Sequence, residues 1–188
     1  DFGIVGDEEA LIESVLNEAS RTSDIILTTG GASAGDEDHI SRLLSQKANL
    51  QTWRIALKPG RPLALALWND IPVLGLPGNP VAAMVTFMRI ARILVLRLSG
   101  ARGDIGPTLY KIAAAFSFQP RGERREWLRA HLKVEKDGTR SVHLFPVTGS
   151  GVLTSMVESH GFVEISERLS QIKEGDLVDF LPFNEMFS

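Results

Sequence analysis

From Glu8 to Arg21, apolar side chains return at Leu11, Ile12, Val15, Leu16 and Ala19. This is the spacing of a helix that buries one face. The runs on either side, "FGIVG" (Phe2–Gly6) and "DIILTTG", are short and almost wholly apolar, which predicts two buried strands. Together the three segments predict one βαβ unit with parallel strands. A second helix is predicted from about Asp38 to Gln46, with Ile40, Leu43 and Leu44 on one face. Three strand-like runs follow: "TWRIAL", "PLALALW" and "PVLGLP". The longest predicted helix is "NPVAAMVTFMRIARILVLRLSG". Asn79 suits its N-cap, Pro80 its first turn and Gly100 the position just past its end.

After Gly100 the pattern changes. "GARGDIGP" (Gly100–Pro107) reads as a linker of glycine, proline and polar residues. Beyond it lie short β-like segments: "LYKIAAAFSF", "REWLRAHLKV", "SVHLFPV", "GFVEIS" and "DLVDFLPF". Turn signals such as "KDG", "TGSG" and "KEGD" separate them. The expected fold is therefore α/β, a parallel-sheet domain over residues 1–100 followed by a small all-β domain, barrel or sandwich, over residues 108–188.

Composition narrows the function. The net charge of −3 gives no electrostatic footing for nucleic acid. The longest apolar helix carries Arg89, Arg92 and Arg97, and no stretch has the length of a membrane span. With no cysteine, disulfides, thiolate catalysis and Cys-ligated zinc are excluded. No signal peptide is visible, so a cytoplasmic location is expected. The chain opens on Asp1 and not on Met, which suggests a fragment.

Ligands of open α/β sheets bind beyond the carboxyl ends of the strands, and three such ends are chemically marked. Gly6-Asp7 closes the first predicted strand. Gly30-Gly31-Ala32-Ser33 offers bare backbone to an anion. Leu76–Pro80, "LPGNP", turns through Gly78 into the long helix, whose N–H groups and dipole favour an oxyanion. Ordinary turn chemistry would account for any one of these; three in one domain favour an anionic ligand. Asp36, Glu37 and Asp38 either cap the next helix or, with Asp7, supply carboxylates to Mg²⁺. Arg54 and Lys58 lie four apart on a predicted strand and so face the same way, as an oxyanion would require; solvated cations beside a Pro59-Gly60 turn are the alternative. In "REWLRA", Arg125, Trp127 and Arg129 share one face, which predicts a cleft. The four histidines show no ligand spacing and are assigned to surface or packing.

"TTGGASAGDEDH", "ALKPGRPLALA" and "GLPGNPVAAMVTF" resemble the molybdopterin molybdenumtransferases, the MoeA and gephyrin E-domain family. "GERREWLRA" and "TGSGVLTSM" are similar to that family's C-terminal β domain. The resemblance spans nearly the whole chain. It implies insertion of molybdenum from molybdate into adenylylated molybdopterin, with Mg²⁺ and release of AMP. It makes Asp7 and Asp38 the functional and metal-binding aspartates, and Arg54 and Lys58 the functional cations. Gly30, Gly31, Ser33, Pro59, Pro77, Gly78, Asn79, Pro80, Arg129 and Ser150 become the pterin- and oxyanion-binding set. Ala82 departs from the serine common in relatives. The resemblance further implies two absent N-terminal domains, a missing first strand, a homodimer and a site incomplete in this chain alone. Two other functions carry distinct expectations. A molybdopterin adenylyltransferase would lack the β domain, and a non-catalytic pterin-binding or scaffolding module would not need Asp7, Asp38, Arg54 and Lys58.

Overall fold

A computed structural model describes residues 1–30, 39–48, 51–54, 57–59, 62–120, 124–146 and 153–186, with backbone alone at 51–54, 57 and 62. The chain divides into two compact units. Residues 1–55 and 60–103 form the first; residues 56–59 join residues 104–188 in the second.

In the first unit, α1 (Glu9–Thr22) buries Ile12, Leu16 and Ala19, the stripe its periodicity predicts. The strands β1 (Ile26–Thr29), β2 (Gln51–Arg54), β4 (Pro62–Trp68) and β5 (Ile71–Leu76) form one sheet in the order β1-β5-β4-β2. The helix α2 (His39–Lys47) buries Leu43 and Leu44. Both helices pack with Ile26, Ala66, Trp68 and Val73 in one apolar cluster. The other sheet face, with Leu63, Leu74 and Leu76, packs on the long helix through Ala91, Phe87, Ile90 and Leu94. That helix runs as α3 (Pro80–Thr86), a π segment Phe87–Ala91 and α4 (Arg92–Leu98). Arg92 N–H donates to the Phe87 carbonyl five residues back, which makes the turn a π turn.

Three expectations fail here. Phe2–Gly6 is not a strand: Phe2 and Ile4 are exposed, and Gly3 has φ +68°. An apolar run with no sheet neighbour has no ladder to join, and the predicted first βαβ unit does not form. "TWRIAL" is not one strand but two, β2 and the two-residue β3 (Leu57–Lys58), which pair in different sheets. Finally, among the described residues of this sheet only β1 and β5 run parallel, while β5–β4 and β4–β2 are antiparallel. The reason is the hairpin at Asn69-Asp70, where φ is 49° and 65° and Trp68 pairs with Ile71. Two successive left-handed residues make the tight turn that joins antiparallel strands, and Asn and Asp tolerate that region best among non-glycine residues.

The second unit is built on one sheet of six strands: β3, β6 (Tyr110–Ala114), β7 (Arg125–Val134), β8 (Arg140–Leu144), β9 (Gly161–Ile165) and β10 (Leu177–Pro182). The pairings β7–β8, β8–β6, β6–β10, β10–β9 and β9–β7 close a five-stranded barrel. Its interior holds Ile112, Ala114, Ala130, Val142, Val163, Ile165 and Phe180. β3 adds to β7 in parallel, setting Leu57 against Arg125 and Lys58 against Glu126. Glu126 also pairs with Ile165 of β9, so β3 and β9 hold opposite edges of β7. Thr154–Glu158 forms a short helix, α5, that the sequence pattern did not predict.

Candidate functional site

The candidate residues fall into two groups, one in each unit.

In the first unit, the parallel pairing sets Thr29 beside Leu76, so β1 and β5 end side by side. Gly30 and the turn Pro77-Gly78-Asn79 continue from those ends. Gly30 N–H donates to the Leu76 carbonyl at 3.1 Å. A Cβ added at Gly78 would lie 3.4 Å from the Gly30 Cα, so an alanine there would come into contact with the Gly30 backbone. Gly30 has φ +83°, and an added Cβ there would meet nothing within 4 Å, so its glycine is a matter of conformation and not of space; Gly78 has no such constraint. Asn79 caps the helix as its sequence position predicts, its Oδ1 accepting from Ala82 N–H at 3.1 Å. Ala83 N–H goes to the Asn79 carbonyl, and Pro80 has no N–H at all. The turn therefore has fewer free donors than the sequence suggests. Its appeal to an anion rests on the helix dipole and on the close approach that Gly30 and Gly78 permit.

Asp7 lies just before α1 in exposed backbone, not at the end of a paired strand, because Phe2–Gly6 is not one. Among the described residues no group of three His, Cys, Asp or Glu side chains converges to hold a metal. Asp7 alone does not make a Mg²⁺ site. Asp38, its expected partner, lies outside the described residues, as do Gly31, Ser33, Asp36, Glu37 and Ser150. Arg54 is described by its backbone only, in β2 of the first unit.

In the second unit, Lys58 and Arg129 are both attached to β7, Lys58 by pairing and Arg129 by sequence. The Lys58 Nζ lies 2.9 Å from Glu126 Oε2. The lysine side chain is 45% exposed and the glutamate wholly buried. Pro59, next along, is half-buried and follows a cis peptide bond. On the opposite face of β7, Arg125, Trp127 and Arg129 share one side, as their alternation predicts. Glu164 of β9, opposite Trp127 in register, fills part of it. The Trp127 Nε1 donates to Glu164 Oε2 at 2.9 Å, and Arg125 Nη1 to Oε1 at 3.0 Å. Arg125 Nε also reaches Glu167 at 3.1 Å. Arg129 is buried, and desolvation lowers the pKa of its guanidinium from the ordinary value.

Sequence reading missed the two carboxylates that organise this region, Glu126 and Glu164. A signal for the first existed. In β7 the inward register is Glu126, Leu128, Ala130 and Leu132, and an acid beginning an otherwise apolar register is out of place unless paired.

Residues 1–97 match the family model described as "Probable molybdopterin binding domain". Residues 111–183 match that described as "MoeA C-terminal region (domain IV)". The chain is 28% identical over 186 residues to the molybdopterin molybdenumtransferase of Haemophilus influenzae, covering 99% of this chain and 46% of that protein. It is 25% identical over 201 residues to gephyrin of Dictyostelium discoideum, covering 94% of this chain and 28% of the relative. Among solved structures, the molybdopterin biosynthesis MoeA protein of Pyrococcus horikoshii superposes with a TM-score of 0.73 at 25% identity, over 97% of this chain and 43% of that one. The chain thus spans less than half the length of each of these proteins.

Proposed function

The chain belongs to the molybdopterin-binding domain family, and from that premise we propose that it is part of a molybdopterin molybdenumtransferase. In that reading the protein inserts molybdenum from molybdate into adenylylated molybdopterin and releases AMP. The observation that carries it is the juncture of Gly30 with the turn through Gly78 at the adjoining ends of β1 and β5, tied by the Gly30 N–H to the Leu76 carbonyl. Bare backbone there suits the phosphate and pterin parts of an adenylylated pterin, with Gly31, Ser33, Pro77, Asn79 and Pro80 completing the set.

The second unit handles the oxyanion. Molybdate is a compact dianion with four acceptor oxygens, and Lys58, Pro59, Arg129 and Ser150 are its assigned contacts. Arg54, in the first unit, is the further assigned cation. Lys58 supplies ammonium donors at a partly exposed position. Burial leaves the Arg129 guanidinium poorly hydrated, which strengthens its pull on an anion. Mg²⁺ enters as the ion to which Asp7 and Asp38 would contribute carboxylates, neutralising phosphate charge; no step is assigned to it. A homodimer and a cytoplasmic location complete the proposal. Among the described residues no helix is long and apolar enough to cross a membrane.

The barrel favours this reading over a molybdopterin adenylyltransferase, which has no use for Lys58 on a second unit. The test supplies the full-length protein with adenylylated molybdopterin, Mg²⁺ and molybdate. AMP release that depends on molybdate, with molybdenum retained by the pterin, is the expected result. Pyrophosphate release from ATP and molybdopterin would establish the adenylyltransferase instead. Pterin binding without turnover would establish a scaffolding module.

A further inference from the structure

Glu126 stands on the inward register of β7, in line with Leu128, Ala130 and Leu132, and is wholly buried. An ionised carboxylate in such a place needs a counter-charge. Lys58 provides it, with Nζ 2.9 Å from Oε2, directly across the β3–β7 register. Glu126 Oε1 has no hydrogen-bond partner among the described residues. The pair is lopsided. One member is locked in the barrel wall, while the other is 45% exposed and sits on a strand of two residues. An ammonium has three donors, and the bond to Glu126 uses one.

An exposed lysine ordinarily samples many rotamers, and a ligand that captures it must bear the loss of that freedom. A carboxylate fixed in a packed interior removes that loss in advance. We propose that Glu126 is a positioning residue: it holds the Lys58 ammonium in place for the oxyanion substrate. This rests on the reading of Lys58 as an oxyanion contact. Glu126 acts only through Lys58, since its own charge repels an anion. A pair that merely braced the barrel would change the melting temperature and leave the substrate requirements alone.

The test uses steady-state kinetics of the full-length protein. Glu126→Gln keeps the volume and removes the charge. It is expected to raise half-saturating molybdate about tenfold, with half-saturating adenylylated molybdopterin within about twofold of wild type. Glu126→Asp keeps the charge at shorter reach and should recover part of the loss. Should Glu126→Gln fail to fold, Glu126→Asp carries the same test through its raised molybdate requirement. In a Lys58→Met background, which already lacks the ammonium, Glu126→Gln should add nothing further. Melting checks the pair itself: Lys58→Met strands the buried carboxylate and lowers Tm, and adding Glu126→Gln restores it. An unchanged or lowered molybdate requirement in both Glu126 variants overturns the proposal. So does a loss in the double variant equal to the product of the two single losses. If Lys58→Met leaves the molybdate requirement unchanged, the reading of Lys58 fails and takes this inference with it. A large Lys58→Met effect beside inert Glu126 variants overturns the inference alone.

Discussion

The two units present their chemistry in different materials. In the α/β unit the marked features are backbone: a left-handed Gly30, a Gly78 without Cβ and a cap at Asn79. In the barrel unit they are side chains held by carboxylates, Lys58 on the buried Glu126 and Arg125 with Trp127 on the half-buried Glu164. Backbone features tolerate a ligand of varied shape, because they offer space and dipoles. Charge pairs fix single donors in place and suit a small ion of defined geometry. Under the proposed function, the division assigns a large pterin nucleotide to one unit and a compact oxyanion to the other.

The comparison is sharpened most by Gly161, a backbone demand within the barrel that concerns packing and no ligand. A Cβ there would collide with the Leu181 carbonyl and lie 2.8 Å from Phe180 Cζ and 2.9 Å from Pro182 Cα. Gly161→Ala must push β9 off β10 and is expected to cost about 3 kcal/mol by denaturant unfolding. In the α/β unit the two glycines should separate. Gly30→Ala places a Cβ on a residue at φ +83° and should cost about 1–2 kcal/mol. Gly78→Ala should stay within about 0.5 kcal/mol in stability while weakening binding of adenylylated molybdopterin. Equal stability losses at both would mean that Gly78 is structural. Asn79→Ala removes the cap to Ala82 N–H and should cost about 1 kcal/mol.

The smallest effect belongs to the β7–β8 turn. The Asp137 carboxylate accepts from the Thr139 hydroxyl at 2.7 Å and its N–H at 3.0 Å. The side-chain bond, then the backbone bond, lower its pKa below the ordinary carboxylate value. A depressed carboxylate stabilises the fold above its unfolded pKa of about 3.9, and that contribution disappears as pH falls through the folded value. Asp137→Asn should therefore melt slightly below wild type at pH 7, and the gap should close in acid.

How much of this was legible in the sequence follows the same division. Glycine, proline and asparagine at the end of an apolar run have few reasons to be there, so Gly30, Gly78, Asn79 and Pro80 stood out. The stripe of α1 and the alternation of β7 were equally plain. Asn69-Asp70 is a readable hairpin signal, and it accounts for the antiparallel pairing of β4 with β5. Phe2–Gly6 misled because apolarity marks a strand only when a neighbour exists to pair with it. The carboxylate pairs were hidden for a different reason: Glu126 is 68 residues from Lys58, and Glu164 is 37 from Trp127. No local pattern couples positions so far apart. Only the closure of the barrel and the docking of β3 bring them together.

The claim that the barrel unit serves the oxyanion is tested most directly at Arg129. Arg129→Lys keeps the charge but loses the planar fork of donors. The measurement is the pair of half-saturating concentrations, molybdate and adenylylated molybdopterin, in the full-length protein. A several-fold rise for molybdate at an unchanged pterin value is the expected result. A rise in the pterin value at an unchanged molybdate requirement would contradict the account.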